Sequence, residues 1–212
     1  MTQKTLVIAG AGGLGREVFQ WAQDQIAANQ ADFSVVKFIE DSDGLSRYPE
    51  VSSGLLSTIK SYSPDPDHLI VIAVGNTVKR RLISNDLESK GAQFGSVIHP
   101  SAIIARNSKV QRGLIMCPNS IISTHTKIGE HTHINFGASV GHDCLIGDFV
   151  TISSHVDIMG FCVVKDDVFL GSGSRILPKC SVAKGSKIGA GAQVQRSLKT
   201  KSTLYQSSTK KL

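Results

Sequence analysis

The stretch INFGASVGHDCLIGDFVTI, residues 134–152, has an aliphatic residue at every sixth position. Ile134, Val140, Ile146 and Ile152 keep this spacing, and mostly small residues stand two positions before them. Neither the two-residue period of a flat-sheet strand nor the 3.6-residue period of a helix produces this pattern. Short strands joined by turns do produce it, if each six-residue unit forms one side of a coil and points its aliphatic residue inward.

The six-residue period continues through most of the second half of the chain without an insertion. It runs from Ile98 to Val194 over seventeen consecutive apolar positions. At 41% hydrophobic residues, chance gives such a run with a probability on the order of 10⁻⁷, so the pattern indicates a structural repeat. Three sides make a coil of 18 residues, and neighbouring coils lie about 4.8 Å apart. Cys144, Cys162 and Cys180 are 18 residues apart, so they stack on successive coils. We expect them to fill a corner rather than to bind metal.

The first half of the chain alternates short apolar runs with helical patterns. The sequence predicts strands in TLVIAG (5–10), FSVVKFIEDSD (33–43) and HLIVIAVGN (68–76), and helices in REVFQWAQDQIAANQ (16–30) and TVKRRLISNDLESKG (77–91). This order predicts a small parallel α/β domain. We therefore divide the chain into an α/β domain, residues 1–94, and a repeat domain, residues 95–212.

The net charge of +6 is concentrated in the repeat domain. Residues 1–94 contain nine Lys or Arg against eleven Asp or Glu, whereas residues 95–212 contain fourteen against six. Such an excess favours an anionic partner. Nucleic acid is not expected, because the aromatic residues that stack on bases are nearly absent there. The N-terminus has no apolar signal segment and no run is long enough to span a membrane, so we expect a cytoplasmic protein without membrane insertion.

The units IGEHTHI (128–134), IGDFVTI (146–152) and IGAGAQV (188–194) resemble those of the hexapeptide-repeat acyltransferases. Together with VIAGAGGLGREV (7–18) and NFGASVGHDCLIGDF (135–149), they make the chain similar to the sialic acid O-acetyltransferase (NeuD-type) and nucleotide-aminosugar N-acetyltransferase family. The resemblance covers nearly the whole chain. It implies a Rossmann-like parallel α/β domain followed by a left-handed parallel β-helix. It also implies acetyl-CoA as acetyl donor and a homotrimer with active sites between subunits.

The resemblance identifies His142 as the catalytic base and Asp143 as the acid that orients its imidazole. His142 stands two residues after the inward Val140, so we expect it on the surface, where an imidazole can accept a proton at neutral pH. Adjacent strand residues point to opposite faces, so the pairing with Asp143 requires a turn. Gly160 follows His142 by one coil, and the resemblance gives its N–H the role of stabilising an oxyanion. Asn135 matches a polar residue that lines the family's site.

A glycine-rich loop joins the first predicted strand to the first predicted helix. Gly10, Gly12 and Gly15 satisfy the dinucleotide pattern G-x-G-x-x-G, which also occurs as a purely structural turn. The resemblance instead implies a nucleotide-linked sugar, with Glu40 and Asp41 on the nucleoside. Leu14 stands where many family members have histidine. The expected sugar-nucleotide contacts in this domain are Gly10, Gly12, Gly13, Glu40, Asp41, Gly75, Asn76 and Arg80.

The basic stretch after Gly171 is a candidate site for the phosphates of the cofactor. We expect contacts from Arg175, Lys179, Lys184 and, by the same argument, Lys187. The chain ends in TLYQSSTKKL and lacks the Gly-x-Pro-Ala-Lys segment of the family. A trimeric zinc enzyme with the same repeat would need two histidines five residues apart, and this sequence has no such pair. We therefore expect no metal.

These observations predict an acetyl-CoA-dependent N-acetyltransferase that acts on the amine of a UDP- or dTDP-linked amino-deoxy sugar. The product would belong to the synthesis of a surface glycan such as lipopolysaccharide or capsule. A sialic acid O-acetyltransferase is the second hypothesis. A non-catalytic trimeric scaffold that binds nucleotide is the third.

Overall fold

A computed structural model describes residues 4–42 and 48–206 of the chain. The last six residues of the predicted basic tail, and residue 43 at the end of the second predicted strand, lie outside the described residues. In the first part the helices are α1 (Gly13–Ala27), α2 (Pro49–Ser52) and α3 (Thr77–Ser89), and the strands are β1 (Lys4–Ala9), β2 (Phe33–Ile39), β3 (Leu55–Ser57), β4 (His68–Ile72) and β5 (Gln93–Phe94).

The first part is a parallel α/β domain with the strand order β3-β2-β1-β4-β5. The central strands β1 and β4 are apolar and largely buried, as expected where helices cover a parallel sheet. All three predicted strands and both predicted helices are present, whereas the short elements α2, β3 and β5 were not predicted. The strand order reverses between β1 and β4, which opens a crevice at their carboxyl ends. No helix of the described residues has the length and apolar content of a membrane span.

The second part is a prism of two-residue strands wound around one core. Its strands are β6 (Val97–Ile98), β7 (Ile103–Ile104), β8 (Lys109–Val110), β9 (Ile115–Met116), β10 (Ile121–Ile122), β11 (Lys127–Ile128), β12 (His133–Ile134), β13 (Ser139–Val140), β14 (Leu145–Ile146), β15 (Thr151–Ile152), β16 (Asp157–Ile158), β17 (Val163–Val164), β18 (Phe169–Leu170), β19 (Arg175–Ile176), β20 (Ser181–Val182), β21 (Lys187–Ile188), β22 (Gln193–Val194) and β23 (Thr203–Leu204). Paired strands are parallel and 18 residues apart along nearly the whole prism.

Three parallel sheets form the faces of this prism. Face 1 contains β7, β10, β13, β16, β19 and β22, face 2 contains β8, β11, β14, β17 and β20, and face 3 contains β6, β9, β12, β15, β18, β21 and β23. The predicted fold class, a Rossmann-like parallel α/β domain followed by a parallel β-helix of hexapeptide repeats, is confirmed. The predicted inward residues are buried from Met116 to Val194, but Ile98 and Ile104 are only partly buried and Val110 is 37% exposed. These three lie in the first coil, which has no coil before it to cover them.

The corners of the prism explain several residues that the six-residue period alone does not. Every sixth residue from Gly113 to Gly191 has a positive φ, between 52° and 73°. Glycine adopts this conformation freely, and asparagine, aspartate and histidine adopt it more readily than other residues. His125, His131 and His155 stand at such corner positions. Cys144, Cys162 and Cys180 are buried free thiols in the adjacent small-residue row, as predicted.

The α/β domain packs against face 3 of the prism. Val97, Ile115 and Cys117, all from the first two coils, belong to the same apolar cluster as Val18 and Trp21 of α1. The outward side chains of His133 and Thr151 on face 3 are also buried. The two domains therefore share a core, and their relative position is fixed by apolar packing as well as by polar contacts.

We expect the Ile152→Ala variant to lose about 2–5 kcal/mol of unfolding free energy, because Ile152 is fully buried and its removal leaves a cavity in the prism. The Val110→Ala variant is the matched control and should lose less than about 1 kcal/mol, because Val110 is partly exposed. Urea unfolding followed by circular dichroism, at one protein concentration, measures both. Equal losses in the two variants would contradict the burial gradient along the prism.

Candidate active site

His142 and Asp143 form an exposed pair at the corner between face 1 and face 2. His142 Nδ1 lies 2.8 Å from Asp143 Oδ2, and the two side chains are 51% and 42% exposed. The pairing is possible because Asp143 occupies the left-handed corner position, with φ 56°, so that it does not point away from its neighbour as a strand residue does. A carboxylate acceptor favours the tautomer with the proton on Nδ1, and in the neutral imidazole this tautomer has its lone pair on Nε2.

Gly160 lies directly beside the imidazole on the next coil. A Cβ atom at this position would come within 2.6 Å of both Cε1 and Nε2 of His142. The carbonyl of His142 accepts a hydrogen bond from the Phe161 N–H at 3.0 Å, and the Phe161 ring meets the imidazole edge to face at 5.0 Å. The Gly160 N–H itself has no hydrogen-bond partner among the described residues. We call residues 142–143 and 160–161 the His142 edge.

The basic residues predicted to bind cofactor do not all lie at this edge. Lys179 continues the His142 edge one coil beyond Gly160, and its N–H donates to the Gly160 carbonyl at 3.0 Å. Arg175 is exposed on face 1 and leads into the same corner. Lys184 lies at the corner between faces 2 and 3, where its ammonium group is 3.3 Å from Asp166 and 3.6 Å from Asp167. Lys184 is thus on another edge and is already neutralised by carboxylates.

Asn135 lies at the corner between face 3 and face 1, at the opposite end of β13 from His142. Its Oδ1 accepts a hydrogen bond from the Cys117 thiol at 3.2 Å. The structure therefore does not bring Asn135 and His142 of one chain to the same corner. Sequence spacing alone did not reveal this separation, because a seven-residue step crosses one whole side of the prism.

The glycine-rich loop contains two kinds of glycine. Gly10 has φ +101°, and a Cβ atom on Gly15 would lie 1.9 Å from the Gly10 carbonyl oxygen, so both are required by the backbone and its packing. A Cβ atom on Gly12 or Gly13 would meet no atom within 4 Å. The same holds for Gly75, which follows the neighbouring strand β4. Gly12, Gly13 and Gly75 therefore border open space at the crevice between β1 and β4.

Glu40 and Asp41 follow β2 at the same edge of the sheet. Glu40 accepts a hydrogen bond from the Ala11 N–H at 2.7 Å with one carboxylate oxygen and from the Asp41 N–H at 2.8 Å with the other. Its carboxylate thus ties the glycine-rich loop to the end of β2. Asp41 is exposed, and from the described residues its carboxylate accepts only a 3.3 Å contact, from the Lys60 N–H. Asp41 is consequently the freer of the two acids for a ligand.

Arg80, predicted to contact the sugar nucleotide, is instead fully buried between the two domains. Its guanidinium donates to the carbonyls of Val74 at 2.7 Å and Phe149 at 2.8 Å, and to Thr151 Oγ1 at 3.0 Å. Burial lowers the pKa of Arg80 to about 9, which leaves the group charged at neutral pH. Arg80 locks the loop around Gly75 onto face 3, and its side chain is not accessible to a ligand. Asn76 caps α3 by accepting from the Lys79 N–H at 2.9 Å, and its side chain is exposed.

Two histidines complete the contact between the domains. His133 Nδ1 lies 3.1 Å from Arg80 Nη1, and His131 Nε2 lies 3.0 Å from Ser84 Oγ. The His131 ring stacks on Phe149 at 5.0 Å. Among the described residues no group of three or more His, Cys, Asp or Glu side chains is placed to hold a metal ion. The histidine-rich run 131–133 serves the domain interface, which the repeat pattern did not predict.

The chain is similar to known proteins in sequence and in structure. Residues 5–87 match the family model of the PglD N-terminal domain. The acetyltransferase domain of PglB from Neisseria gonorrhoeae superposes with a TM-score of 0.84 at 25% identity, covering 96% of this chain and 97% of that one. WeeI from Acinetobacter baumannii superposes with a TM-score of 0.80 at 27% identity, covering 92% and 93%. No curated protein sequence matches the chain.

A third similar structure contains ligands. It is a histidine variant of perosamine N-acetyltransferase from Caulobacter crescentus in complex with CoA and GDP-perosamine, with a TM-score of 0.80 at 22% identity, covering 94% of this chain and 90% of that one. The PglB domain has also been solved with acetyl coenzyme A. The predicted resemblance to hexapeptide-repeat sugar acetyltransferases is thereby confirmed: residues 5–87 match the PglD N-terminal domain, and the chain shares the fold of the PglB acetyltransferase domain and of WeeI over nearly its whole length.

We expect the protein to lose stability as the pH falls from about 6.5 towards 4. Burial lowers the pKa of His131 from 6.5 to about 4, with a further contribution from the nearby arginines. Between these values the unfolded chain binds more protons than the folded one, so the unfolding free energy decreases with falling pH, for His131 by on the order of 3 kcal/mol.

Urea unfolding at a series of pH values tests this expectation. The unfolding free energy of the His131→Gln variant should depend on pH less than that of the wild type. Part of the dependence should persist because burial also lowers the pKa of His133. The His125→Gln variant is the matched control, because His125 also has the left-handed corner conformation but lies on another edge of the prism and is exposed. An unchanged slope in His131→Gln would show that this histidine is not buried in neutral form.

Proposed function

We propose that the protein transfers the acetyl group of acetyl-CoA to the amine of a nucleotide-linked amino-deoxy sugar. The predicted enzyme class, an acetyl-CoA-dependent sugar acetyltransferase, is confirmed by the matches to acetyltransferases. The acceptor and the residue roles are our proposal. The observation that supports them most directly is the His142 edge, where an oriented imidazole lies beside the Gly160 N–H, which has no hydrogen-bond partner among the described residues.

The arrangement at the His142 edge suits acyl transfer from a thioester. His142 Nε2 accepts the proton of the attacking amine, while Asp143 keeps Nδ1 protonated and stabilises the imidazolium. The amine nitrogen bonds to the acetyl carbonyl carbon, and the Gly160 N–H donates to the carbonyl oxygen as it gains negative charge. The carbon–sulfur bond then breaks, and the leaving thiolate takes the proton from the imidazolium. Lys179 and Arg175 are placed to meet phosphates along the same edge.

The α/β domain supplies the site for the sugar nucleotide. Gly12 and Gly13 border open space at the end of β1, and the exposed Asp41 follows the neighbouring β2. A phosphate fits over exposed glycine N–H groups at the start of a helix, and a carboxylate fits the hydroxyls or base of a nucleoside. The perosamine N-acetyltransferase of the comparison was solved with a GDP-linked amino sugar, so guanosine joins uridine and thymidine among the nucleosides to test.

The two halves of the proposed site lie on opposite sides of one prism. His142 is at the corner between faces 1 and 2, whereas the α/β domain covers face 3, which is opposite that corner. Faces 1 and 2 and the His142 edge expose apolar side chains, with Ile103 at 57%, Leu145 at 47% and Phe161 at 51%. Both observations support a homotrimer in which the α/β domain of one chain delivers substrate to the His142 of another. A cytoplasmic location and a role in surface-glycan synthesis remain predictions.

A thiol-release assay with UDP-, dTDP- and GDP-linked amino sugars and with sialic acid tests the acceptor. We expect turnover with an amino-sugar nucleotide. With the accepted substrate, His142→Ala should lower kcat roughly 10²–10⁴-fold. Gly160→Ala should also lower kcat, because its Cβ would displace the imidazole.

The control for these variants is His125→Ala, which removes an exposed histidine one coil earlier and should leave kcat unchanged. Circular dichroism verifies that each variant is folded. Turnover of sialic acid alone would favour O-acetylation. Wild-type kcat in His142→Ala would remove this residue from the mechanism.

Mixed trimers test whether one site is shared between chains. Gly12→Phe should block the nucleotide loop without disturbing the fold, since a Cβ there meets no atom and φ is −63°. His142→Ala and Gly12→Phe subunits, each inactive alone, are co-expressed with different tags and purified as mixed trimers. If sites are shared, an intact α/β domain meets an intact His142 at one of the three interfaces of every mixed trimer. We therefore expect about one third of the wild-type activity. Inactive mixed trimers would place the whole site within one chain.

A further inference from the structure

A cavity between the two domains extends from the expected sugar-nucleotide contacts Gly75 and Asn76 to the surface of the prism. Its volume is about 260 Å³, and it is lined by Gly75, Asn76, Thr77, Phe169 and Lys187. The first three residues follow β4 in the α/β domain, and the last two are cross-strand neighbours on face 3 of the prism. The cavity is smaller than the roughly 300–1,000 Å³ of pockets that enclose a whole drug-sized ligand, so it suits one end of a molecule.

We infer that Phe169 and Lys187 form the subsite for the sugar and its attached phosphate, at the far end of the sugar nucleotide from the base. This inference rests on the proposed function and adds two prism residues to a substrate site that the sequence predicted mainly in the α/β domain. In this inference Lys187 contacts a phosphate of the sugar nucleotide, and not the cofactor phosphates that the sequence analysis suggested.

The order of the strands supports this direction of binding. Strands β2, β1 and β4 are neighbours in the sheet, and their carboxyl ends carry Asp41, Gly12–Gly13 and Gly75–Thr77 in that order. Adjacent strands lie about 4.8 Å apart, so the first and last of these ends are separated by about 10 Å. A nucleoside at Asp41 and a diphosphate over the glycines therefore direct the sugar towards Gly75 and the cavity.

The chemistry of the cavity fits a sugar phosphate. Lys187 is exposed, and its ammonium group makes no hydrogen bond or ion pair with the residues that the structure describes. The nearby Asp167 is already paired with Arg81 at 2.8 Å and with Lys184 at 3.6 Å. The Lys187 ammonium is thus available for a phosphate. The Phe169 ring, 37% exposed, offers an apolar surface to the C–H face of a pyranose, and Gly75 leaves room for it.

Steady-state kinetics of the full-length protein tests this subsite. Lys187→Met keeps the aliphatic stem and removes the charge, and it should raise the KM for the accepted sugar nucleotide about 10- to 100-fold, as expected for one lost charge-assisted hydrogen bond. The KM for acetyl-CoA should stay within about twofold, and Lys187→Arg should restore most of the loss. Lys109→Met is the matched control, because Lys109 is also the exposed first residue of a two-residue strand, on face 2.

Calorimetry separates the sugar end of the ligand from the nucleoside. Lys187→Met and Phe169→Ala should weaken binding of the nucleoside diphosphate sugar and leave binding of the corresponding nucleoside monophosphate unchanged. A raised KM for acetyl-CoA with an unchanged sugar-nucleotide KM would overturn the inference and return Lys187 to the cofactor. Equal weakening of both nucleotides would also overturn it.

The same measurement distinguishes failure of the subsite from failure of the proposed function. If the wild type releases no thiol with any amino-sugar nucleotide, the proposed function has failed, and calorimetry with UDP-N-acetylglucosamine and uridine monophosphate then decides the subsite. Even in that case, the subsite is supported if Lys187→Met weakens binding of UDP-N-acetylglucosamine and leaves binding of uridine monophosphate unchanged. Unchanged binding of both ligands contradicts it.

Discussion

The six-residue repeat of one inward aliphatic residue and one left-handed corner residue is the constraint on which the structure depends. The inward residues build a continuous apolar core, and the corners turn the chain after every two-residue strand. Because the corners from Gly113 to Gly191 share one backbone conformation, residues 18 apart lie at equivalent positions on successive coils. Asp143 can reach back to its own neighbour His142 only from such a corner, and Gly160 lies beside the imidazole only because the coils stay in register.

The second determinant is the docking of the α/β domain on one face of the prism. Apolar residues of the first two coils complete the core of that domain, and the buried Arg80 binds carbonyls of both domains. This docking covers face 3 and leaves the His142 edge open on the other side. It also places Gly75 above Phe169 and Lys187. In the proposed enzyme, the same contact that stabilises the chain therefore also determines where the nucleotide-linked substrate enters and which copy of His142 it meets.

Much of the fold and part of the candidate site could be predicted because the repeat makes distant contacts periodic. The strands, the stacked cysteines and the juxtaposition of His142 with Gly160 all follow from counting in steps of six and eighteen. The roles of Arg80, Asn135 and Lys184 did not follow from counting. Its position in the motif suggested that Arg80 contacts a ligand, but its guanidinium makes hydrogen bonds to Phe149 and Thr151 across the domain interface. Asn135 and Lys184 lie on other corners of the prism than His142.

The sequence by itself determined the α/β unit, the prism and the row of residues from which an imidazole projects. These features depend on local backbone preference and on burial at a fixed period. Both can be read from the types and spacing of residues that are close in sequence. Only the tertiary structure decided which face of the prism the α/β domain covers, and hence that Arg80 is buried and Lys187 faces the Gly75 loop. That choice depends on shape and polar complementarity between two surfaces made of residues far apart in sequence, and no periodicity encodes it.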